Sequence, residues 1–314
     1  MYKFLLIWLS VTSSLLAHSP TLTRSFPIGG MRGGSTKLSC FGDRLQKAKT
    51  LLFYRSGITV GKPEVAEKKK VIFPITIAKD APLGEYLYRV VCDDGLSDLR
   101  SFWVGPYPSL FEKKESNNSL SEAQEVTINH TIVGQTTNED QDFYKIHLKK
   151  DQVISMELEA MRLGRIFYDS FIAIYGSNNS ELASSDDSTR LDQDPRLSFK
   201  APQDGDYFIL VRDASYKGNN EARYRLHVGD FVFTRSLYPL GAMKDKQQTF
   251  TLQTEHEGVV NHLATFTQSN SNVELFPTLP NQPNRTATAA HLIRVTDYGF
   301  IQEKEPNAGP KHKN

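Results

Sequence analysis

Val153-Ile154-Ser155-Met156-Glu157-Leu158-Glu159-Ala160 carries an apolar side chain at every second position from Ile154 to Ala160, with a polar one between each pair. A period of two belongs to a strand, whose successive side chains point to opposite faces. The stretch therefore predicts Ile154, Met156, Leu158 and Ala160 on a core and Ser155, Glu157 and Glu159 toward water. Tyr224, Leu226 and Val228 alternate in the same way with Arg223, Arg225 and His227. Tyr207, Ile209 and Val211 share one face of another run, as do Val71, Phe73, Ile75 and Ile77. Asp93-Asp94-Gly95, Gly176-Ser177-Asn178-Asn179, Asp204-Gly205 and Gly218-Asn219-Asn220 punctuate these runs as turns. Many short strands with regular turns predict an all-β chain of tandem β-sandwiches. One helical turn is expected, where Ser119-Leu120-Ser121-Glu122 has the spacing of a capping box.

The bulk composition fits this picture. A chain of 314 residues has room for two or three domains. Hydrophobic residues at 39% supply a core, and a net charge of +1 gives no reason to expect nucleic acid or an anionic membrane surface as partner. Lys3, the apolar Phe4–Ala17 run and Ala17-His18-Ser19 have the pattern of a secretory signal peptide, placed at residues 1–19. No later segment is long and apolar enough to span a bilayer, so no membrane span is expected once the leader is removed. A secreted, periplasmic or cell-surface location follows. Cys40 and Cys92 stand 52 residues apart in strand-like segments. In an oxidising compartment they form either a disulfide, contributing about 4 kcal/mol, or two buried thiols. Without a CxxC they offer no zinc site.

Internal repeats set the organisation. Arg24-Ser25-Phe26-Pro27-Ile28-Gly29-Gly30-Met31 is echoed by Arg235-Ser236-Leu237-Tyr238-Pro239-Leu240-Gly241-Ala242-Met243. Phe111-Glu112-Lys113-Lys114-Glu115-Ser116-Asn117-Asn118 is echoed by Ile301-Gln302-Glu303-Lys304-Glu305-Pro306-Asn307-Ala308. The expected modules are residues 20–108, 109–230 and 231–301, the first and third related. A tail at 302–314 resembles the opening of another middle module and lacks apolar residues to pack.

The middle segment resembles the bacterial pre-peptidase C-terminal (PPC) domain. Glu115-Ser116-Asn117-Asn118, Asp140-Gln141-Asp142-Phe143-Tyr144, the Val153–Ala160 strand and Glu181–Asp187 carry the likeness. Ala201-Pro202-Gln203-Asp204-Gly205-Asp206-Tyr207 and Tyr224-Arg225-Leu226-His227-Val228 complete it. The outer modules resemble immunoglobulin-like domains of the IPT/TIG type through Pro27–Gly30, Leu51–Tyr54 and Pro82-Leu83-Gly84-Glu85-Tyr86. The resemblance implies an immunoglobulin-like sandwich, a jelly-roll-like PPC sandwich and a second immunoglobulin-like sandwich. It also implies a non-catalytic domain of a kind often appended to secreted peptidases.

Calcium is the one cofactor the resemblance brings in. Calcium needs six to eight hard oxygen ligands. By likeness to calcium-binding relatives, Glu115, Asn117, Asn118, Asp140 and Asp142 are the candidate ligands. Lys113 stands where the family pattern has an acidic residue, and Ser116 replaces the usual proline. A positive charge among the ligands would weaken a dication site. The alternative is that these residues cap a turn. Asp186, Asp187, Asp192 and Asp194 are expected in loops, with Asp186-Asp187 bonding to its own turn.

Catalytic signatures are missing: the chain has no GxSxG, HExxH, P-loop or GxGxxG. His256-Glu257 and His262 form its closest histidine grouping. Tyr168, Tyr175, Tyr216 and Tyr224 either stack on sugar rings or pack in cores. The expected function is a secreted, non-enzymatic binding or scaffold protein facing a protein, polysaccharide or cell-envelope partner. The alternative is the accessory region of a secreted peptidase or other hydrolase.

Overall fold

The computed structural model describes residues 19–113, 117–268, 271–301 and 303. The expected leader, the expected ligand Glu115 and the expected tail, apart from Ser19 of the leader and Glu303 of the tail, lie outside these residues. The fold is all-β: among the described residues the one helical element is a single 3-10 turn at Met161–Leu163. Two compact units divide the chain.

The first unit takes residues up to Ile28, Ser35–Ala78 and Tyr86–Phe102. Strands β1 to β10 are Thr21–Phe26, Gly29–Met31, Ser35–Asp43, Ala48–Phe53, Ile58–Val60, Val65–Ala66, Lys70–Ile77, Gly84–Cys92, Gly95–Leu96 and Arg100–Gly105. One antiparallel sheet runs β1-β3-β7-β5, with β6 also on β7. In the other sheet β4 and β9 pair with β8. Val71, Phe73, Ile75 and Ile77 are all buried, as their alternation predicts, and so are Leu38, Tyr88 and Phe102.

Cys40 and Cys92 are buried free thiols here, as in the second of the two readings. Their strands belong to different sheets. Cys40 lies opposite Ser25 and Val71, whereas Cys92 lies opposite Ala48 and Gly95. The Cys92 Sγ faces the Arg44 carbonyl at 4.0 Å. Burial pushes the Cys40 thiol up to about 12. Burial, then Asp94 and Asp93, raises that of Cys92.

The second unit takes Gly29–Gly34, Lys79–Glu85 and the chain from Trp103. Strands β11 to β20 are Ser109–Phe111, Gln124–Glu125, His130–Gln135, Asp142–Leu148, Val153–Glu159, Ser170–Gly176, Glu181–Ser185, Arg196–Lys200, Gly205–Asp213 and Arg223–Gly229. They form two five-stranded sheets, β11-β13-β20-β15-β18 and β12-β14-β19-β16-β17. Ile132, Ile154, Met156, Leu158, Tyr224, Leu226 and Val228 come from the first sheet. They meet Tyr144, Ile146, Ile172, Ile174, Tyr207, Ile209 and Val211 from the second in one core. Burying each such side chain contributes about 1.5–3 kcal/mol, so this interleaving holds the sandwich shut.

Strands β21 to β28 are Thr234–Tyr238, Gly241–Met243, Gln248–Thr254, Val259–Ala264, Ser271–Leu275, Thr278–Leu279, Gln282–Thr286 and His291–Thr296. They make the sheets β21-β23-β24, β22-β28-β25 and β26-β27. Leu237, Phe250, Leu252, Leu275, Ile293 and Val295 fill the space between the first two. The β2 segment lies parallel to Trp103–Gly105 of β10, and β22 lies parallel to β28 in the same way.

Two expectations change. The Ser119–Glu122 segment is a hydrogen-bonded turn and not a helix. The Glu122 amide donates to the Ser119 carbonyl (3.1 Å), and the Ser119 hydroxyl donates to the Glu122 carboxylate (2.8 Å). Gln124-Glu125 then pairs with β14, which ends any helix. The second change is larger. Ser155, Glu157, Glu159, Arg225 and His227, expected toward water, are all buried.

Candidate functional site

Residues 207–211 read Tyr-Phe-Ile-Leu-Val, apolar on both faces of β19. Tyr207, Ile209 and Val211 enter the sandwich core. Phe208 and Leu210 point the other way and join Phe143 and Ala173 in an outer apolar cluster. Leu120 and Ala123 pack over it, with Phe171 and Tyr175 at its margin. Beside this cover an open groove of about 590 Å3 remains. Its walls are Asn118, Ser119, Leu120, Ser121, Gln141 and Asn179, with the rings of Phe143 and Tyr175. Among the described residues no charged side chain lines it.

The Tyr175 ring is held in place on two sides. It meets Phe143 edge-on at 6.0 Å, and its hydroxyl donates to Glu181 at 3.1 Å. The turn beside it closes when Asn178 Oδ1 accepts the Ser180 amide at 3.1 Å, which places Asn179 in the left-handed region at φ 62. Elsewhere in this sandwich the Arg212 guanidinium lies over both Phe171 (4.0 Å) and Tyr216 (4.4 Å). Of the four tyrosines singled out from sequence, Tyr168 and Tyr224 are core residues and Tyr175 and Tyr216 are accessible.

The predicted calcium ligands are only partly brought together. Asn117 is buried, its backbone carbonyl accepting the Phe143 amide (2.9 Å) and its side-chain amide donating to Glu112 (3.1 Å). Asn118 is exposed on the groove wall. Asp140 caps a turn: one carboxylate oxygen accepts the Thr137 amide at 2.9 Å and the other the Gln141 amide at 3.1 Å. Asp142 opens β14 inside the sandwich and accepts the Tyr224 hydroxyl at 2.7 Å.

Glu112, absent from the sequence-derived set, is the residue that faces Asp142. It also accepts the Gln135 amide at 3.1 Å and the Tyr144 hydroxyl at 3.4 Å. Burial, and then the Glu112 carboxylate beside it, pushes the Asp142 pKa up to about 10. Asp142 Oδ1 has no other hydrogen-bond partner. Asp142 thus holds its proton at neutral pH, and the Tyr144 and Tyr224 hydroxyls near it lie 2.5 Å apart. Among the described residues no three acidic, histidine or cysteine side chains converge as a metal site would require. The oxygens of Asp140 and Glu112 are already occupied by amides and hydroxyls. The described residues therefore do not fit a calcium ion with six to eight oxygen ligands. Lys113, set against the site by its charge, is exposed.

The outer face of β15 and β20 holds a buried ionic network. Arg225 pairs with Glu159 at 2.5 Å, and His227 lies 3.3 Å from the same carboxylate. Glu157 pairs with Arg162 (3.1 Å) and Arg196 (3.2 Å). Arg162 also reaches Asp194 at 2.6 Å, and Asp194 accepts the Ala160 and Met161 amides at 3.0 and 2.7 Å. Asp194 was expected in a loop, and it is there, but fully buried. Burial alone would raise Glu159; the charges of Arg225 and His227 more than reverse this and hold it well below the carboxylate range. Glu157 is lowered likewise by Arg162 and Arg196.

Residues 29–34, 79–85, 103–108 and the chain after 230 cover this face. A methyl group on Gly29 would lie 3.0 Å from the Arg225 guanidinium carbon, and one on Gly105 2.8 Å from Arg225 Nη2. Arg190 donates to the Thr234 and Ala290 carbonyls at 3.1 and 2.8 Å, and Arg196 lies 3.8 Å over the Phe233 ring. A cavity of about 170 Å3 remains among Trp103, Glu159, Arg162, His227 and Phe276.

Among the described residues one buried grouping has the order of a catalytic relay. Thr131 bonds His227 at 2.8 Å and His227 faces Glu159, in the order of a hydroxyl–imidazole–carboxylate relay. The Thr131 hydroxyl is 0% exposed, so no substrate carbonyl reaches it. His256 contacts Ser198, and His262 lies 3.2 Å from the Thr278 carbonyl, so the two share no site.

Residues 140–213 match the family model of the bacterial pre-peptidase C-terminal domain, so the chain contains a domain of this family. No curated protein matches the chain. Among solved structures, similarity is found to the pre-peptidase C-terminal domain of a Bacillus anthracis collagenase (17% identity, 37% of this chain, 98% of that one, TM-score 0.28). Two others are PliG, a periplasmic inhibitor of g-type lysozyme from Aeromonas hydrophila (14%, 34% and 96%, TM-score 0.25), and SGBP-B of a Bacteroides ovatus mixed-linkage glucan locus (10%, 68% and 75%, TM-score 0.25).

Proposed function

We propose that this chain is an exported, non-catalytic binding protein. In this reading an immunoglobulin-like module (residues 20–108), a PPC module (109–230) and a second immunoglobulin-like module (231–301) carry its surfaces. The PPC module binds an uncharged, hydroxyl-rich polymer such as a neutral polysaccharide. The observation that carries this reading is the groove at Tyr175. Amides and hydroxyls from Asn118, Ser119, Ser121, Gln141 and Asn179 surround an aromatic face there, without a charged lining. Such a wall donates and accepts hydrogen bonds with sugar hydroxyls, while the ring covers the apolar face of a pyranose. The one relay-like grouping described above, Thr131, His227 and Glu159, is sealed in the β15/β20 network.

The test is calorimetry and affinity electrophoresis of the purified protein against a panel of neutral and acidic polysaccharides. A neutral polymer should bind, and Tyr175→Ala should weaken it about tenfold, or ~1.4 kcal/mol. Tyr216→Ala, away from the groove, should leave it unchanged. Failure of every neutral polymer to bind, or binding indifferent to Tyr175→Ala, defeats the proposal. The PPC match favours a second reading, an accessory region that holds a secreted hydrolase on its substrate. Under it, the groove variant would slow attack on insoluble polymer and spare soluble substrate.

A further inference from the structure

Two parallel strand pairs of the same build meet different surroundings. In the first, Gly29, Gly30 and Met31 of β2 stand opposite Trp103, Val104 and Gly105. In the second, Gly241, Ala242 and Met243 of β22 stand opposite Arg294, Val295 and Thr296. Each begins on glycine and ends on methionine. Each partner strand is followed, two residues on, by a tyrosine: Tyr107 and Tyr298.

The first pair is covered by the sandwich of residues 109–229. The Arg225 guanidinium lies over the backbone at Gly29 and Gly105, where side chains would obstruct it. Tyr107 is 6% exposed and packs 6.1 Å from the Phe231 ring, just past β20. Among the described residues the second pair has no such cover. Tyr298 is 79% exposed, Leu240 59%, and Ile301 96%. A methyl group on Gly241 would collide with the half-exposed Phe300 ring, which lies over the glycine as Arg225 lies over Gly29. The fold ties these apolar residues to the pair. The Arg294 amide donates to the Leu240 carbonyl, and the Thr296 hydroxyl donates to the Tyr298 carbonyl, both at 2.8 Å. Four large apolar side chains left in water beside one another mark an interaction surface.

We propose that the face formed by Leu240, Tyr298 and Ile301, with the Phe300 ring displaced from Gly241, docks a further β-sandwich built like residues 109–229. The repeat specifies the occupant, because the corresponding face of the first pair is covered by such a sandwich. The sequence agrees: Ile301-Gln302-Glu303 echoes Phe111-Glu112-Lys113, where that sandwich begins. Docking buries Tyr298 as Tyr107 is buried. It requires nothing of the Tyr175 groove, so it stands or falls apart from glycan binding.

The test is hydrogen exchange on the full chain and on the chain extended after Asn314 by a second copy of residues 109–230. Amides of 240–243 and 294–301 should exchange about tenfold more slowly in the extended protein. Leu240→Glu with Tyr298→Glu should abolish that slowing while leaving the parent chain's own melting temperature unchanged. An appended sandwich that folds yet leaves these amides unprotected overturns the proposal. So does one that fails to fold, since the same residues fold beside the first pair. Concentration-dependent dimerisation of the parent, lost in the double variant, would assign the face to a second copy and also overturn it.

Discussion

Removing the Arg225 guanidinium should be among the most damaging single changes to the second unit. The side chain is 1% exposed and pairs at 2.5 Å with Glu159, itself 3% exposed. Arg225→Met keeps the stem and deletes the charge. Glu159 is then left in the interior with His227 at 3.3 Å as its remaining partner. Stripping one member of a buried pair costs about 3–5 kcal/mol, because the other stays desolvated and uncompensated. At about 2–4 °C per kcal/mol for a unit of this size, the melting temperature should fall by about 6–20 °C. The penalty depends on pH with a definite sign. In the parent, the Glu159 pKa lies below its ordinary value of 4.5, so its pairing stabilises at neutral pH and is lost as pH falls through the acid range. In Arg225→Met the same carboxyl is desolvated without its cation and its pKa rises, so the cost is full at pH 7 and relieved toward pH 4. Adding Glu159→Gln should recover at least half of the loss, since no unpaired charge remains. Thermal and urea melts followed by Trp103 fluorescence at pH 7 and pH 4.5 measure both effects. A loss under about 1 kcal/mol at pH 7, or a double variant no better than the single, would refute the assignment of Arg225 as the cation that makes this face buriable.

Three other outcomes follow from buried groups. Asp142 binds its proton more tightly folded than unfolded, from 3.8 to about 10, so its contribution to stability falls as pH rises through that interval. Asp142→Asn should be more stable than the parent at pH 8.5 and little different at pH 4 in urea melts. Millimolar calcium should leave the parent's melting temperature unchanged, and a calcium-dependent rise abolished by Asp142→Asn would overturn the reading of Asp142 as protonated. Burial, then Arg190 and Arg196, lowers His291 to about 3 from 6.5. The unfolded chain therefore gains a proton first on acidification. Stability should drop by about 2 kcal/mol between pH 7 and pH 5, and His291→Gln should flatten that slope. Cys40 and Cys92 should react with a thiol reagent at pH 8 only when denaturant is present, and a bridged pair would give no thiol count under either condition.

The strand content was legible from Ile154, Met156 and Leu158 and from the matching runs, because a period of two needs no knowledge of neighbours. Which face meets water was not. Glu157, Arg225 and His227 alternate as an exposed face does, and only the segments that close over β15 and β20 turn them inward. A local pattern reports the two faces of a strand but not what lies above each. The groove was hidden for a related reason. Phe208 and Leu210 blur the alternation of residues 207–211, and this doubly apolar run was the one available hint that a second face of β19 is also covered. Family likeness points to Glu115 and gives no sign of Glu112. Its approach to Asp142 depends on the parallel pairing of β11 with β13, a contact between segments far apart in sequence. Asn118, a candidate ligand by likeness, forms a wall of the groove.

The two parallel pairs also explain why one face is ionic and the other apolar. A face covered only by apolar contacts accepts many partners and registers, because the hydrophobic effect is non-directional. The network under the first pair does not. Glu159 requires a guanidinium at 2.5 Å, and that guanidinium fits only where Gly29 and Gly105 leave the backbone bare. Any shift of β20 beneath β2 strands a carboxylate in the interior, at several kcal/mol. The cost of burying these charges is thus exchanged for a single seating. At Gly241 the Phe300 ring occupies the corresponding space, and a ring demands no particular counter-charge. If a sandwich built like residues 109–229 docks there, its arginine finds no space at Gly241 until Phe300 leaves. Phe300→Ala should therefore strengthen docking in the extended chain, whereas Gly241→Val, which fills the space permanently, should prevent it. Equal protection of residues 240–243 in both variants would show that the glycine gap plays no part in recognition.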